Sequence, residues 1–353
     1  MTLAPWIERN QRASVPARSR RRLQIAPWSL EEATERAVEE VSAVTARHVH
    51  GTLGAIVREH LATGGKRTRI LLALRCAQAV GVPLRDAVPL AVAAELLHNA
   101  TLIHDDLQDG DAVRRGAPTV WARHGVAQAI NAGDVLLMLP FLAIADSVDG
   151  AARASLTAMV ARRAAATACG QSDELSLLAE GRLDWASYAG AARGKTGQIF
   201  AIPFEGAALL AGALPADAVA VGDLATWLGL AYQTADDLLD LYGDKGRGEA
   251  GNDLREGKVS AVVATHLERA PDDRAALLEL LRLPREETSA AAVAAWSRRF
   301  FASGAAEEAL ARAHSESARI DATPLPEALR PLRAAMSHLR ADVLGRAVLP
   351  EVR

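Results

Sequence analysis

The chain has 353 residues, half of them apolar, and its 40 Lys and Arg against 43 Asp and Glu leave a formal net charge of −3. This near-balance gives no support to nucleic-acid binding, and two cysteines, Cys76 and Cys169, fit a reducing cytosol without a disulfide framework. No apolar run approaches the roughly 18 residues of a membrane span, so we expect a cytoplasmic protein with no transmembrane segment.

The first segment in chain order, residues 1–28, carries four arginines (Arg18, Arg20, Arg21 and Arg22). It has no apolar stretch suited to a secretory signal, and this composition predicts a flexible basic arm. Arg-rich starts with few acidic residues also occur in organellar transit peptides, and that alternative stays open. We therefore place the folded domain at residues 29–353.

Residues 29–353 are rich in Ala and Leu and poor in aromatic and β-branched residues, and their apolar positions recur with a period near 3.6. The pattern predicts helices at 29–48, 52–62, 67–81, 85–106, 124–147, 151–171, 183–194, 197–212, 216–241, 258–269, 272–282, 290–302, 304–319 and 326–346. No linker and no repeat of fixed period divides them. We expect an all-α chain that forms a single large helical bundle around a central active-site cavity.

Two acidic clusters, residues 105–109 and 236–240, both read Asp-Asp-x-x-Asp inside apolar segments. Residues i and i+4 of a helix share a face, so Asp105 pairs with Asp109 and Asp236 with Asp240. Carboxylates at this density repel one another and need cations, and an all-oxygen ligand set favours Mg²⁺, which usually shares carboxylates with water and substrate phosphates. One such cluster alone is more often a solvated helix face, but two beside apolar sequence predict a site for a phosphorylated substrate.

Basic and polar residues accompany both clusters. Residues 64–69, Gly-Gly-Lys-Arg-Thr-Arg, open a helix, whose amino terminus favours phosphate; the segment lacks the frame and strand of a P-loop. Two further basic segments follow the clusters, and paired arginines are good bidentate phosphate ligands (Arg114 and Arg115 after the first, Lys258 after the second). His98 and Gln233 share helical faces with Asp105 and Asp236, and Lys195 and Thr196 interrupt helical sequence between the clusters.

In this order, the motifs resemble those of the trans-isoprenyl diphosphate synthases of the polyprenyl synthetase family. The resemblance runs from about residue 30 to the end and rests on residues 64–69, 98–109, 114–116, 195–197, 232–240 and 253–258. It implies the all-α isoprenoid synthase fold, usually as a homodimer, with one active site in each subunit. One segment departs: many relatives have a Lys shortly before the residue matching Asp253, where this chain has Glu249, leaving Arg247 or Lys245 as substitutes.

The resemblance implies that the protein joins isopentenyl diphosphate head to tail, in the E configuration, to an allylic diphosphate such as dimethylallyl, geranyl or farnesyl diphosphate. It implies Mg²⁺, about three ions with substrate bound, on Asp105, Asp109, Asp236 and Asp240. It assigns the allylic diphosphate to Arg114, Lys195 and Lys258. It assigns isopentenyl diphosphate to Lys66, Arg69, His98 and Arg115. Together with the Lys195 carbonyl, Thr196 and Gln233 would stabilise the allylic cation.

Product length in this family depends on the tunnel beneath the first cluster, where bulky residues stop the growing tail. The fifth and fourth residues before Asp105 are the small Ala100 and Thr101, so the tunnel is expected to pass them. Leu96 and Leu97, one turn deeper, would form its floor, and one turn of about 5.4 Å admits roughly one more isoprene unit. We expect geranylgeranyl diphosphate (C20), with a C25 to C40 product as the alternative.

Other functions of the same fold are less well matched. A terpene cyclase or a head-to-head synthase needs no second diphosphate site of the kind at residues 64–69 and usually replaces the second acidic cluster. A non-catalytic regulatory subunit would usually have lost acidic or basic ligands, whereas this chain keeps the principal ones. A plain helical scaffold would require every motif to be accidental. The sequence therefore favours a catalytic prenyl diphosphate synthase.

Overall fold

The structure, a computed structural model, describes residues 27–148, 150–243, 250–347 and 349. Its α-helices are α1 (Leu30–His48), α2 (Gly51–Ala62), α3 (Thr68–Ala79), α4 (Leu84–Gln108), α5 (Val120–His124), α6 (Val126–Ser147), α7 (Gly150–Glu180), α8 (Trp185–Ala192), α9 (Gln198–Leu210), α10 (Pro215–Tyr242), α11 (Asn252–Arg255), α12 (Ala261–Arg269), α13 (Arg274–Leu281), α14 (Ala290–Ala302), α15 (Ala305–Ser317), α16 (Arg319–Ala322) and α17 (Arg330–Leu344).

The all-α prediction is confirmed, and each predicted helix has a counterpart. Local signals set several ends: the Ser29 hydroxyl accepts a hydrogen bond from the Glu32 amide and the Glu32 carboxylate accepts one from Ser29, which caps the start of α1. The largest error is in α7, which continues to Glu180 rather than ending near 171. Residues 172–174, Ser-Asp-Glu, break the apolar pattern, yet the helix continues because Leu177 beyond them is buried.

Two departures from regular α-helix were not predicted. Strands β1 (Val113–Arg114) and β2 (Ala117–Pro118) form an antiparallel hairpin just after α4. A π-helix, Arg193–Gly197, joins α8 to α9. Such wide turns are rare inside helices and occur often at functional sites. Both departures lie in segments that the sequence had singled out for their polar residues.

Helices α4 and α10 form the middle of the bundle. α4 is apolar around most of its circumference and packs against α3 and α6, while α10 packs against α9 and α12. Each carries an acidic cluster at its carboxyl end, where the helix dipole disfavours negative charge. Packing of these helices therefore brings both acidic clusters to one cavity at their carboxyl ends.

Helix α6 bears on the expectation that the chain has no transmembrane segment, which stays a prediction. Among the described residues it is long and apolar enough to cross a membrane, by length and composition alone, although 44% of its apolar window is buried. It packs along α4, and a core helix of such composition passes the same test. Part of its apolar surface is nevertheless open, since Ile130 and Met138 are 44% and 55% exposed.

Residues 1–26 of the expected basic arm lie outside the described residues. Trp28, just before α1, packs against the core. Residues 244–249, which include Lys245, Arg247 and Glu249, also lie outside the described residues.

Candidate active site

A cavity of about 1090 Å³ opens at the carboxyl ends of α4 and α10. Its polar side is formed by aspartates from both clusters together with Asp253 of α11. Its apolar side lies between α4, α6 and α7 and is lined mainly by Leu97, Leu102, Leu137, Met138, Phe141 and Ala164. The cavity therefore has a charged chamber, which the aspartates line, and an apolar pocket that continues from it. This combination suits a ligand with an anionic head and a hydrocarbon tail.

The aspartates of the first cluster point in two directions. Asp105 and Asp109 line the cavity, as the helical spacing predicted, whereas Asp106 is 2% exposed and lies outside its lining. The Asp106 carboxylate accepts a hydrogen bond from the Arg114 guanidinium, which itself lines the cavity. Burial raises the pKa of Asp105, and raises that of Asp106 to about 6 although Arg114 opposes the shift. Asp106 therefore holds Arg114 in place, and the outer pair faces the substrate space.

The second cluster repeats this division. Asp236 and Asp240 line the cavity, while Asp237 is buried outside it. Asp237 accepts hydrogen bonds from the Gln233 side-chain amide at 3.1 Å and from the Ala261 backbone amide at 2.8 Å. The middle aspartate therefore ties α10 to the start of α12 and orients Gln233.

Lys195 reaches from the π-helix into the charged chamber. Its Nζ lies 2.5 Å from Glu174 Oε2 and 3.7 Å from Asp105 Oδ1. Burial disfavours its charge, but these two carboxylates prevail and raise the pKa of Lys195. The lysine is therefore cationic and stands beside a predicted metal ligand.

Lys258 occupies the equivalent place on the other side. Its Nζ lies 2.8 Å from Asp109 Oδ2 and 2.8 Å from Glu256 Oε2. Burial opposes its charge, yet the surrounding carboxylates hold its pKa well above the usual value. Lys195 and Lys258 thus partly neutralise the carboxylates of the chamber. Both lysines are placed to bind an anionic ligand that enters together with divalent cations.

The donor set fits a hard divalent cation. The outer aspartates supply only oxygen, and no three His, Cys or acidic side chains among the described residues converge into a ready-made ion site. Mg²⁺ commonly takes one or two carboxylates and completes its shell with water and substrate phosphates, so two carboxylate pairs that line one cavity from α4 and α10 suit it. Asp105, Asp109, Asp236 and Asp240 are therefore the residues that would hold it.

A second basic group lies on the α3 and α4 side. Arg69 and His98 line the cavity, and the Arg69 guanidinium carbon stacks 4.8 Å from the centre of the Phe200 ring. Burial, then the nearby arginines, lower the pKa of His98 well below its usual value, so the ring is neutral. Lys66 and Arg115 are exposed and lie outside the cavity lining, and Arg115 donates to the Gly64 carbonyl. Of the four predicted residues, Arg69 and His98 therefore face the cavity, and Lys66 and Arg115 do not.

Close backbone packing fixes the π-helix. A methyl group added to Gly170 of α7 would overlap the Gly194–Lys195 backbone, and one added to Gly229 of α10 would overlap Gly197. Only glycine allows this approach, which brings the Thr196 hydroxyl 3.2 Å from Gln233 Oε1, with both residues lining the cavity. The predicted pair Thr196 and Gln233 is therefore assembled by helix packing.

The expected chain-length residues are divided by the structure. Leu97 and Thr101 line the cavity, four residues apart on one face of α4. Ala100 and Leu96 are fully buried and lie outside the lining, which corrects the expectation that they border the tail. Residues four and eight before Asp105 share its face more closely than five and nine do, because four residues complete slightly more than one turn.

Sequence reasoning missed several residues of the chamber. Glu174 contacts Lys195, Glu256 contacts Lys258, and Arg285 bridges Glu256 and Asp111 at 3.1 and 3.2 Å. Glu174 was overlooked because α7 was expected to end before it. Glu174 lies about one turn after Gln171, which lines the cavity, so a longer predicted helix would have drawn attention to it.

The chain matches known proteins along most of its length. The polyprenyl synthetase family profile matches residues 50–297. A short chain isoprenyl diphosphate synthase of Methanothermobacter thermautotrophicus is 35% identical over 275 residues, 76% of this chain and 82% of the relative. A geranylgeranyl diphosphate synthase of Methanosarcina mazei is 34% identical over 209 residues, 58% of this chain and 64% of the relative.

A solved structure agrees with these matches. The geranylgeranyl pyrophosphate synthase of Corynebacterium glutamicum, complexed with isoprenyl diphosphate and magnesium, superposes with a TM-score of 0.76 at 25% identity, over 90% of this chain and 100% of that one. The fold, the two acidic clusters and the profile match point to one conclusion. The chain belongs to the polyprenyl synthetase family and is a trans-prenyltransferase.

Proposed function

We propose that this protein condenses isopentenyl diphosphate with an allylic diphosphate, head to tail and in the E configuration, to give geranylgeranyl diphosphate. The observation that carries the proposal is the cavity itself. Two carboxylate pairs and two lysines face one chamber of the cavity. Arg69 and His98 face it from the α3 and α4 side, and an apolar pocket continues from the charged part. This arrangement suits two diphosphates and one growing hydrocarbon tail.

The allylic diphosphate would bind in the acidic chamber. Arg114, Lys195 and Lys258 contact the acidic groups there and can turn to its phosphate oxygens, which are strong charge-assisted acceptors. When bound, Mg²⁺ would neutralise the charge that develops on the diphosphate as the allylic carbon–oxygen bond breaks. Asp105, Asp109, Asp236 and Asp240 would hold it in place.

Isopentenyl diphosphate would bind the second basic group. Arg69 and His98 would provide donors from the cavity lining, and Lys66 and Arg115 would turn in from outside it; with no acidic cluster on α3, this diphosphate would need no metal. A neutral His98 donates one hydrogen bond, and arriving negative charge favours its protonated form. The Corynebacterium neighbour was solved with isoprenyl diphosphate, which supports a ligand of this class.

The chemistry between the two sites needs stabilised positive charge and no water. Cleavage leaves the bonding electrons on diphosphate, and the double bond of isopentenyl diphosphate then attacks the allylic cation. Thr196 and Gln233, held together at 3.2 Å, present oxygen atoms toward that cation. A proton is then lost to the departing diphosphate, which restores the double bond. The apolar walls of α4, α6 and α7 exclude water that would quench the cation.

Product length is proposed from the depth of the apolar pocket. On α4 the lining runs from Asp105 to Leu97, eight residues or about 12 Å. That is roughly one turn deeper than a floor at Thr101 and favours C20 over C15. A C25 to C40 product is the second candidate, because Met138 on the opposite wall is 55% exposed in the single chain, and a second copy that covers it loosely would leave that side less closed.

We further propose a cytoplasmic homodimer. Ile130 and Met138 leave an apolar strip of α6 open, and a second copy of the chain would cover it. Sedimentation of the purified protein at micromolar concentration would show the dimer, and a monomer under those conditions would contradict it.

Product analysis tests the proposed function. The purified protein is incubated with Mg²⁺, farnesyl diphosphate and radiolabelled isopentenyl diphosphate, and the dephosphorylated products are sized by chromatography. The proposal expects geranylgeraniol as the main product and none with the metal chelated. Chains of C25 or longer would support the second candidate, and the absence of any extended product would contradict both.

A further inference from the structure

The loop that carries Lys66 and leads to Arg69 in the first turn of α3 contains a backbone conformation that costs energy. Arg67, between them, has φ 48° and ψ 34°, in the left-handed region that residues other than glycine seldom occupy. It directly precedes α3, and its side chain makes no capping hydrogen bond to that helix. A strained backbone conformation persists only where surrounding contacts stabilise it, so the contacts of Arg67 indicate what holds this turn.

The Arg67 side chain is committed to two protein acceptors. Its Nη1 donates to Glu95 Oε1 at 3.0 Å, and its Nη2 donates to the Leu61 carbonyl at 3.2 Å. These contacts tie the loop to α4 on one side and to the end of α2 on the other. Arg67 does not line the cavity, and its guanidinium is engaged by protein acceptors, so we do not assign its charge to a substrate.

Glu95 is held as firmly as Arg67. It is 5% exposed, and Asn99 donates to its backbone carbonyl at 2.8 Å and approaches its carboxylate at 3.4 Å. Glu95 precedes His98 by three residues on α4, so both lie on adjoining turns of one helix. A buried carboxylate requires a paired cation, and Arg67 provides it from the loop.

We propose that Arg67 and Glu95 form a clamp that positions Lys66 and Arg69 for isopentenyl diphosphate; this rests on the proposed function. The clamp holds the left-handed turn, and the turn directs the two basic residues on either side of it. Arg67 is a positioning residue and touches no substrate. The alternative is a purely structural ion pair, which would contribute stability and leave substrate affinity unchanged.

Two variants separate these roles. Arg67→Gly removes the clamp while suiting the left-handed backbone, so it should keep the fold, although Tm should fall because the buried Glu95 carboxylate loses its partner. Glu95→Gln removes the charge of the partner and keeps its shape. Arg340→Gln is the control, because the Arg340 side chain is about as shielded as that of Arg67 and likewise contacts one carboxylate, Asp321, and one backbone carbonyl, away from the cavity. Binding of isopentenyl diphosphate alone is measured by calorimetry, and KM is measured for both substrates.

Both clamp variants should weaken binding of isopentenyl diphosphate about tenfold or more and raise its KM to match, as loss of a supporting contact typically does. The KM for farnesyl diphosphate should change less than about twofold. Arg67→Lys should recover part of the affinity, and the double variant should be no worse than the more severe single one.

Several results would overturn the inference. Affinity in Arg67→Gly equal to that of Arg340→Gln, or equal rises in both KM values, would make the pair structural only. If Glu95→Gln does not fold, Arg67→Gly alone decides. A wild-type protein that neither binds isopentenyl diphosphate nor extends farnesyl diphosphate would instead refute the proposed function, and the clamp with it.

Discussion

Within each acidic cluster the outer aspartates face the cavity and the middle one faces protein. Asp106 accepts from Arg114, and Asp237 accepts from Gln233 and from the backbone of α12. The helical spacing predicts which pair faces the substrate. It cannot predict the role of the middle residue, because Arg114, the partner of Asp106, lies in a hairpin, and Ala261, one partner of Asp237, lies at the start of another helix.

Asp105 provides the sharpest test of this division. Replacing it with Asn should lower kcat by roughly a hundredfold to a thousandfold, the usual loss when a group that stabilises developing charge is removed. Burial raises the pKa of Asp105, so its ionised form destabilises the folded protein at neutral pH. The Asn variant should therefore have a slightly higher Tm at pH 7.

The pH dependence supplies the control for that variant. As pH falls through the raised folded-state pKa toward the ordinary value of 3.8, wild-type Asp105 takes up its proton and the Tm difference should shrink. Steady-state kinetics and thermal melts between pH 7 and 4 check both statements. Near-normal kcat at ordinary Mg²⁺ would remove Asp105 from the metal ligands.

Adjacent leucines on α4 test the position of the tail. Leu97→Ala should deepen the pocket and shift the product toward longer chains, because Leu97 lines the cavity. Leu96→Ala is the matched control: Leu96 is fully buried outside the lining, so its loss should cost about 2–5 kcal/mol of stability and leave product length unchanged. Chromatography of the products, with melts of both variants, gives the answer; longer chains only from the Leu96 variant would place the tail elsewhere.

The helical elements were largely predictable, and the exceptions share a cause. Periodic apolar positions identify α1 to α4 and α9 to α10 because burial drives those helices. The π-helix at Arg193–Gly197 escapes prediction because its shape follows from Gly170 and Gly229 on two other helices. No local pattern encodes a contact between glycines about thirty residues apart.

Gly229 tests whether that packing matters for catalysis. In Gly229→Ala the new methyl group would overlap Gly197 and should displace the π-helix, moving Lys195 and Thr196. We expect kcat to fall by roughly a hundredfold, as misplacement by about 1 Å can cause. Gly190→Ala is the control: it lies in α8 with nothing near its added methyl, so it should be neutral or slightly stabilising. Equal kcat in the two variants would show that the packing is not required.

At the scale of the whole bundle, the sequence predicted one helical domain that brings its two acidic clusters together. The family match confirms the class of protein. The features that the sequence missed arise between helices. The apolar strip of α6 was missed because its composition differs little from that of a core helix, and exposure at Ile130 and Met138 emerges only from packing. The length of α7 was missed because burial of Leu177 outweighs three polar residues before it.

Diphosphate release with each substrate alone and with both together is the most direct test of two cooperating sites in one cavity. With Mg²⁺ and both isopentenyl and farnesyl diphosphate, the protein should release one diphosphate for each bond formed. With farnesyl diphosphate alone, release should be slower by orders of magnitude, because nothing captures the allylic cation. Rapid release from farnesyl diphosphate alone, accompanied by a cyclic hydrocarbon, would identify a cyclase, and no release under any condition would identify a non-catalytic subunit; either result would contradict a prenyl diphosphate synthase.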